Sequence, residues 1–146
     1  MSSPLVVLDT SVVLHLYRGK STGVALHAAV ETMLAGERPV LSAVTVGEAL
    51  AFAARRGWGT NNTQKLRDQL ARCVVVGLDG DLFDRYADID AWTKKQGRSL
   101  SDNDVWIAAT AAMLNATLVT TDKDFAALAP AKIQVALFDS AGQPLR

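Results

Sequence analysis

The chain has 146 residues, 49% of them hydrophobic, which suits one domain with its own core and excludes a disordered segment. Its 15 Lys plus Arg balance 15 Asp plus Glu, which excludes a domain that grips nucleic acid by bulk charge alone; any such contact must come from local basic patches. One cysteine, Cys73, excludes an internal disulfide framework and a multi-thiolate zinc site, and two histidines, His15 and His27, leave little for a histidine-rich metal site.

Met1-Ser2-Ser3-Pro4 carries no cationic n-region, and no apolar run approaches the ~18–20 residues of a membrane span. We therefore expect a cytoplasmic protein with no membrane contact. Residues 5–8 form an unbroken apolar run of the kind buried on both sheet faces. Helices are expected over 12–17 and 24–34, stopped by Gly19 and Gly36. A strand at 39–42 precedes a helix over 46–56, closed by Gly57 and Gly59. A polar helix follows at 63–72. Residues 73–77 read as another strand of the buried type. A helix over 81–96 ends at Gly97. Asp102-Asn103-Asp104 opens a helix running to 114. A strand at 117–120, a short helix at 123–128 and a last strand at 133–138 complete the pattern. Short apolar strands alternating with helices predict a single α/β domain over residues 1–146, a parallel sheet of about five strands with helices on both faces.

Ligand groups in such sheets gather at the carboxyl ends of the strands. Asp9 stands at the end of the first strand. Glu48 lies a helical turn beyond the second, Asp104 in the first turn of a later helix, and Asp122 at the end of the 117–120 strand, with Asp124 two residues on. Each alone has a structural reading. Thr45 to Glu48, Ser101 to Asp104 and Thr121 to Asp124 all have the shape of a capping box, and acids favour helix N-termini. Together they read differently, because they are embedded in apolar sequence. Asp104 shares a helical line with Ile107, Ala108 and Ala111; Glu48 shares one with Ala51 and Phe52. Asp102 points elsewhere and is expected to cap the helix from solvent. Converging, partly buried carboxylates repel and hold their protons unless a cation compensates them. All-oxygen ligands favour Mg²⁺, or Mn²⁺, and such sites activate water for attack on a phosphodiester.

Leu8-Asp9-Thr10-Ser11-Val12-Val13 resembles the opening of PIN-domain ribonucleases, and Thr45-Val46-Gly47-Glu48 is similar to their second acidic segment. Asn103 to Ala111, followed by Ala116 to Phe125, resembles the VapC-type toxins of bacterial toxin–antitoxin pairs. The likeness runs through nearly the whole chain in order, with Asp139 to Arg146 as an extra tail. It implies a metal-dependent endoribonuclease that cuts structured RNA (tRNA or rRNA), a cognate VapB-type antitoxin, and a homodimer. It implies Asp9, Glu48, Asp104 and Asp122 as the acid quartet, with Asp9 and Asp104 as direct Mg²⁺ ligands. Thr10, Ser11 and Thr121 would bond to these carboxylates. Relatives differ at the position of Asp122, so either Asp122 or Asp124 is the acid that faces the metal.

Local cations for RNA are Arg55-Arg56 and Lys94-Lys95 with Arg98, weighed against ordinary solvated helix ends. Trp58 and Trp106 are candidate base-stacking platforms, weighed against packing; Trp92 reads as core or interface. His15, His27 and Cys73 read as packed residues. The acidic run Asp79 to Asp90 reads as a solvated face, since Phe83 breaks the calcium-loop pattern. Residues 24–34 and 50–54 are candidates for a dimer or antitoxin groove. Two alternatives stand beside the nuclease. One is a phosphatase with Asp9 as nucleophile, against which Ser11 stands where such enzymes need an acid. The other is a catalytically inactive RNA- or protein-binding module.

Overall fold

β1 (Val6–Leu8) is three aliphatic residues, every one of them buried. In the computed structural model, which describes residues 5–98 and 100–145, it is the centre of a five-stranded sheet. Its neighbours are β2 (Val40–Ser42) and β4 (Thr117–Thr120); β3 (Val74–Val76) lies outside β2, and β5 (Gln134–Leu137) outside β4. Every pairing is parallel. Parallel neighbours need crossovers, and helices supply them. They are α1 (Thr10–Arg18) and α2 (Ser21–Leu34), α3 (Ala43–Arg55) and α4 (Thr60–Ala71), and α5 (Leu82–Lys95) and α6 (Asp102–Leu114). A 3₁₀ segment, Lys123–Leu128, joins β4 to β5. This is the layered α/β architecture expected from the sequence.

The period-2 alternation of the strands explains why β1 is apolar throughout. Val6 and Leu8 pack with Leu41 and Val119 beneath α1, α2, α3 and α4. Val7 points the other way, with Val40 and Leu118, into the core under α5 and α6. Both faces are covered, so neither wants polar residues. Helices α1 and α2 cross closely at Gly23, where an added Cβ would sit 2.2 Å from the His15 carbonyl oxygen. The tail folds back rather than trailing away. The Leu145 amide donates to the Leu137 carbonyl, and the Asp139 carboxylate accepts from the amides of Ala141 and Gln143.

Several local expectations are corrected. The strand read at 73–77 is the sheet's edge, not its interior: Val74 and Val75 are 42% and 49% exposed. Hydropathy cannot tell an aliphatic edge from a buried centre. Cys73 is half-buried beside it. Helix α3 starts three residues earlier than expected, because the Ser42 hydroxyl caps it by accepting from the Val44 amide at 3.1 Å. Thr45 is then wholly buried inside the helix, so Thr45 to Glu48 is no capping box. Ser101, not Asp102, caps α6, accepting from the Asp104 amide at 3.1 Å. Asp102 instead accepts from the Tyr86 hydroxyl at 3.2 Å. His27 is exposed and 3.6 Å from Glu31 rather than packed. Among the described residues, no helix is long and apolar enough to cross a membrane.

Strand order places the site. The chain goes from β1 to β2 on one side, and later returns to the other side of β1 as β4. The two crossovers therefore diverge at the carboxyl ends of β1 and β4, leaving a crevice there.

Candidate active site

Asp9 follows β1 directly and caps α1, accepting from the Thr10 amide at 2.8 Å. It is only 4% exposed. Its Oδ2 accepts from the Ser11 hydroxyl at 3.0 Å and from the Thr120 hydroxyl at 2.7 Å. Burial pushes its pKa up; the Thr120, Ser11 and Thr10 bonds offset part of that, and the charge of Asp122 adds to it. Thr120 is the last residue of β4 and wholly buried. Its oxygen also accepts from the Asp122 amide at 2.9 Å, so one hydroxyl ties β4, the turn after it and Asp9 together.

Asp104 sits in the first turn of α6 on the line it shares with Ile107, Ala108 and Ala111, all three buried. Its carboxyl is pushed up to about 6, first by burial and next by the charge of Asp9, with Asp122 and Glu48 adding to it; the hydrogen bond with Ser101 works the other way. Glu48 projects from the second turn of α3. The Thr10 hydroxyl donates to its Oε1 at 2.6 Å, and Asn103 Nδ2 donates to its Oε2 at 3.1 Å. Asp122 caps the 3₁₀ segment by accepting from the Asp124 amide at 2.9 Å. Its charge reaches both Asp9 and Asp104, while exposed Asp124 lines a separate hollow with Arg98 and Lys123.

The charges of Asp9, Asp122 and Glu48 all reach Asp104, and among the described residues no cation is paired with any of the four. The ion pairs among the described residues lie elsewhere: His27–Glu31, Arg85–Asp81, Lys94–Asp90 and Lys132–Asp88. The quartet does not close into a cage. Among the described residues, no three His, Cys, Asp or Glu side chains are grouped tightly enough to hold an ion alone. Glu48 is held through both oxygens by Thr10 and Asn103, and Asp122 is turned toward the Asp124 amide. Among the acids, the strongest charge coupling on Asp104 is that of Asp9. That donor set fits Mg²⁺, which is commonly held by one or two carboxylates and keeps several waters.

Two residues were not legible beforehand as site residues. Thr120, not Thr121, carries the hydroxyl that bonds Asp9; only the Thr121 amide takes part, donating to Ser11 Oγ at 3.5 Å. The clue was register: Thr120 is a polar residue in an otherwise buried strand that pairs with β1. Asn103, beside Asp104, steadies Glu48 from 55 positions away. Among the aromatics, Trp58 stacks on Tyr17 at 5.0 Å between ring centroids, and Trp106 packs on Tyr86 at 4.0 Å; both are half-buried. The cations separate. Arg56 lies over the Phe52 ring, Lys94 is tied to Asp90, and Arg55 opens into a groove with Glu48.

Comparison with known proteins gives the family. A curated relative, ribonuclease VapC1 of Haemophilus influenzae strain R2866, is 29% identical over 118 residues, covering 78% of this chain and 84% of that one. The crystal structure of VapBC-1 from nontypeable H. influenzae matches with a TM-score of 0.72 at 27% identity, over 91% of this chain and 97% of that one. VapBC-5 of Mycobacterium tuberculosis, described as a toxin–antitoxin system, matches with a TM-score of 0.66 at 28% identity, over 90% and 98%. The profile of the PIN domain matches residues 6–130, from β1 through the 3₁₀ segment, and with the acids at the crevice it places this chain in the PIN-domain family.

Proposed function

We propose that this protein is a divalent-metal-dependent endoribonuclease. Mg²⁺ is the natural ion, Mn²⁺ a workable substitute, and structured RNA such as tRNA or rRNA the substrate. The observation that carries this reading is the pair Asp9 and Asp104: buried or half-buried, mutually repelling, and without a cation partner among the described residues. Such a pair costs stability unless a cation is its purpose. The name of the VapC1 relative supports the ribonuclease assignment.

Asp9 and Asp104 would hold the ion, which when bound neutralises charge on the phosphate and makes a water acidic enough to attack. The protein's own groups then have distinct tasks. Thr120, Ser11 and the Thr10 amide lock Asp9 in one orientation. Glu48 orients the attacking water, held in place by the Thr10 hydroxyl and the Asn103 amide. Asp122 completes the negative field at the β4 end. In-line attack leaves a 5′-phosphate and a 3′-hydroxyl. A phosphatase with Asp9 as nucleophile fits less well, because Ser11 stands where such enzymes need an acid, and its hydroxyl is spent on Asp9 itself.

We further infer that the protein is the toxin of a toxin–antitoxin pair, working in the cytoplasm as a homodimer under a VapB-type antitoxin. The similar VapBC structures, one of them named as a toxin–antitoxin system, support a partner of that kind. Its seat is the largely apolar hollow of about 270 Å³ between α1, α2 and α4, lined by Val13, Leu16, Val30, Leu34 and Leu70 among others. The test is cleavage of total RNA by purified protein, with end sequencing. Cleavage that needs Mg²⁺, leaves 5′-phosphates and disappears in Asp9→Asn and Asp104→Asn supports the reading. Equal cleavage in EDTA, or by either variant, refutes it.

A further inference from the structure

Two hollows adjoin the segments that carry the acids: one includes Glu48 itself, and the other is lined by residues that directly follow Asp122 and shortly precede Asp104. The first, about 400 Å³, lies between α3 and the start of α6; Glu48 and Asn103 stand at one end and Arg55 at the other. Glu48, Ala51 and Arg55 are spaced i, i+3 and i+7, so they share one helical face, and Arg55 lies about 10 Å along the axis from the acid. Gly47 opens the floor. It is an exposed residue inside the helix, with nothing within 4 Å of where a Cβ would be. Packing therefore does not demand a glycine there, although glycine costs a helix about 1 kcal/mol against alanine.

The second hollow, about 290 Å³, lies beyond β4, where Arg98 and Lys123 face it with Asp124. Lys123 directly follows Asp122. Among the described residues, Arg55, Arg98 and Lys123 are in no ion pair. Between the hollows lie the ends of β2, β1 and β4, a span of about 10 Å at ordinary strand spacing. A chain of zero net charge thus keeps uncommitted cations on both sides of its acids, and the acids by themselves repel a polyanion.

We propose that an unpaired RNA strand crosses this edge with its reacting phosphate over the acids. Arg55 holds a backbone phosphate on the β2 side, and Arg98 with Lys123 holds one on the β4 side. This rests on the ribonuclease reading above. Arg55, Arg98 and Lys123 are positioning residues; none touches the reacting atoms. The open floor at Gly47 lets a ribose or base lie against α3.

The test uses Asp104→Asn protein, in which cleavage is off, and a fluorescein-labelled single-stranded RNA carrying the wild-type cleavage site. Arg55→Glu, and Arg98→Glu with Lys123→Glu, should each weaken binding about tenfold or more. Each lost contact should reduce the slope of log affinity against log salt by about 0.7. Shortening the RNA on one side should erase the Arg55→Glu penalty alone, and shortening it on the other the Arg98/Lys123 penalty alone. Gly47→Leu, which suits a helix better, should bind weakly while melting no lower than the parent. Equal binding by the charge-reversed proteins, or penalties indifferent to which end is shortened, overturns the proposal. If wild-type protein still cleaves the RNA in that case, the ribonuclease reading stands; if wild-type protein cleaves no RNA, both fall.

Discussion

The Thr120 hydroxyl donates a 2.7 Å hydrogen bond to Oδ2 of Asp9, joining the ends of β4 and β1 across 111 positions of sequence. Both groups are buried, so the bond fixes the carboxylate where water cannot compete for it. Thr120→Val removes that donor and also strips the Asp122 amide of its acceptor. Hydrogen bonds to charged groups contribute about 1.5–3 kcal/mol. We expect the Mg²⁺ concentration for half-maximal cleavage to rise, and activity to fall about 10–100-fold, the usual cost of losing a group that orients a metal ligand. Thr120→Ser should restore most of it. Titrating Mg²⁺ into cleavage assays of both variants checks this.

The elevated carboxyl of Asp104 predicts two pH effects. Its proton must leave before a cation can bind, so cleavage at limiting Mg²⁺ should rise as pH passes upward through about 6, and added Mg²⁺ should move the midpoint lower. Asp104→Asn cannot be used to trace that curve, since it should be inactive.

Stability runs in the opposite sense. Between the ordinary carboxyl value of 3.8 and about 6, the folded protein keeps a proton on Asp104 that the unfolded chain has lost. The folded state binds more protons there, so metal-free stability falls as pH rises through that window and stays low above it. Asp9, also raised, works in the same direction. Thermal melts in EDTA should therefore show Asp104→Asn more stable than wild type at pH 7, with the difference vanishing near pH 4. A variant less stable at both pH values would contradict this.

Glu48 is held at both oxygens, so its two anchors can be separated experimentally. Asn103→Ala leaves the Thr10 bond and should lower turnover several-fold with little change in Mg²⁺ requirement. Glu48→Gln removes the charge and should lower turnover by about 10²-fold or more, in keeping with a group that acts in proton handling. Steady-state kinetics at saturating Mg²⁺ distinguish the two.

Away from the site, Gly23→Ala puts a methyl 2.2 Å from the His15 carbonyl oxygen, against the α1 backbone at His15 and Leu16. The α1–α2 crossing must open, at a cost of about 1–3 kcal/mol or more. Gly47→Ala, in open space, should stabilise slightly. Urea denaturation of the two glycine variants gives the comparison directly.

How far the sequence speaks for itself differs by level. The order of strands and helices was readable because the strands centre on aliphatic residues and most helices stop at a Gly or Asn. Asp104 was readable as inward-facing because its helical line is Ile107, Ala108 and Ala111. Edge and centre were not: Val74-Val75-Val76 has the composition of a buried strand, and only the crossover geometry puts it outside β2. The start of α3 was missed because Ser42 both ends β2 and caps the helix, leaving no loop between them. Thr120 and Thr121 are chemically equal in sequence; only parallel register with β1 decides which hydroxyl reaches Asp9. The partner of Glu48 at Asn103 depends on α3 and α6 meeting, a tertiary fact with no local signal.

The most direct measurement is calorimetric titration of Mn²⁺ or Mg²⁺ into metal-free protein at neutral pH, beside Asp9→Asn and Asp104→Asn. The shared-cation account predicts saturable binding by the wild type, proton release that grows as pH is lowered toward 6, and loss of binding in both variants. No binding by the wild type, or equal binding by either variant, would contradict it.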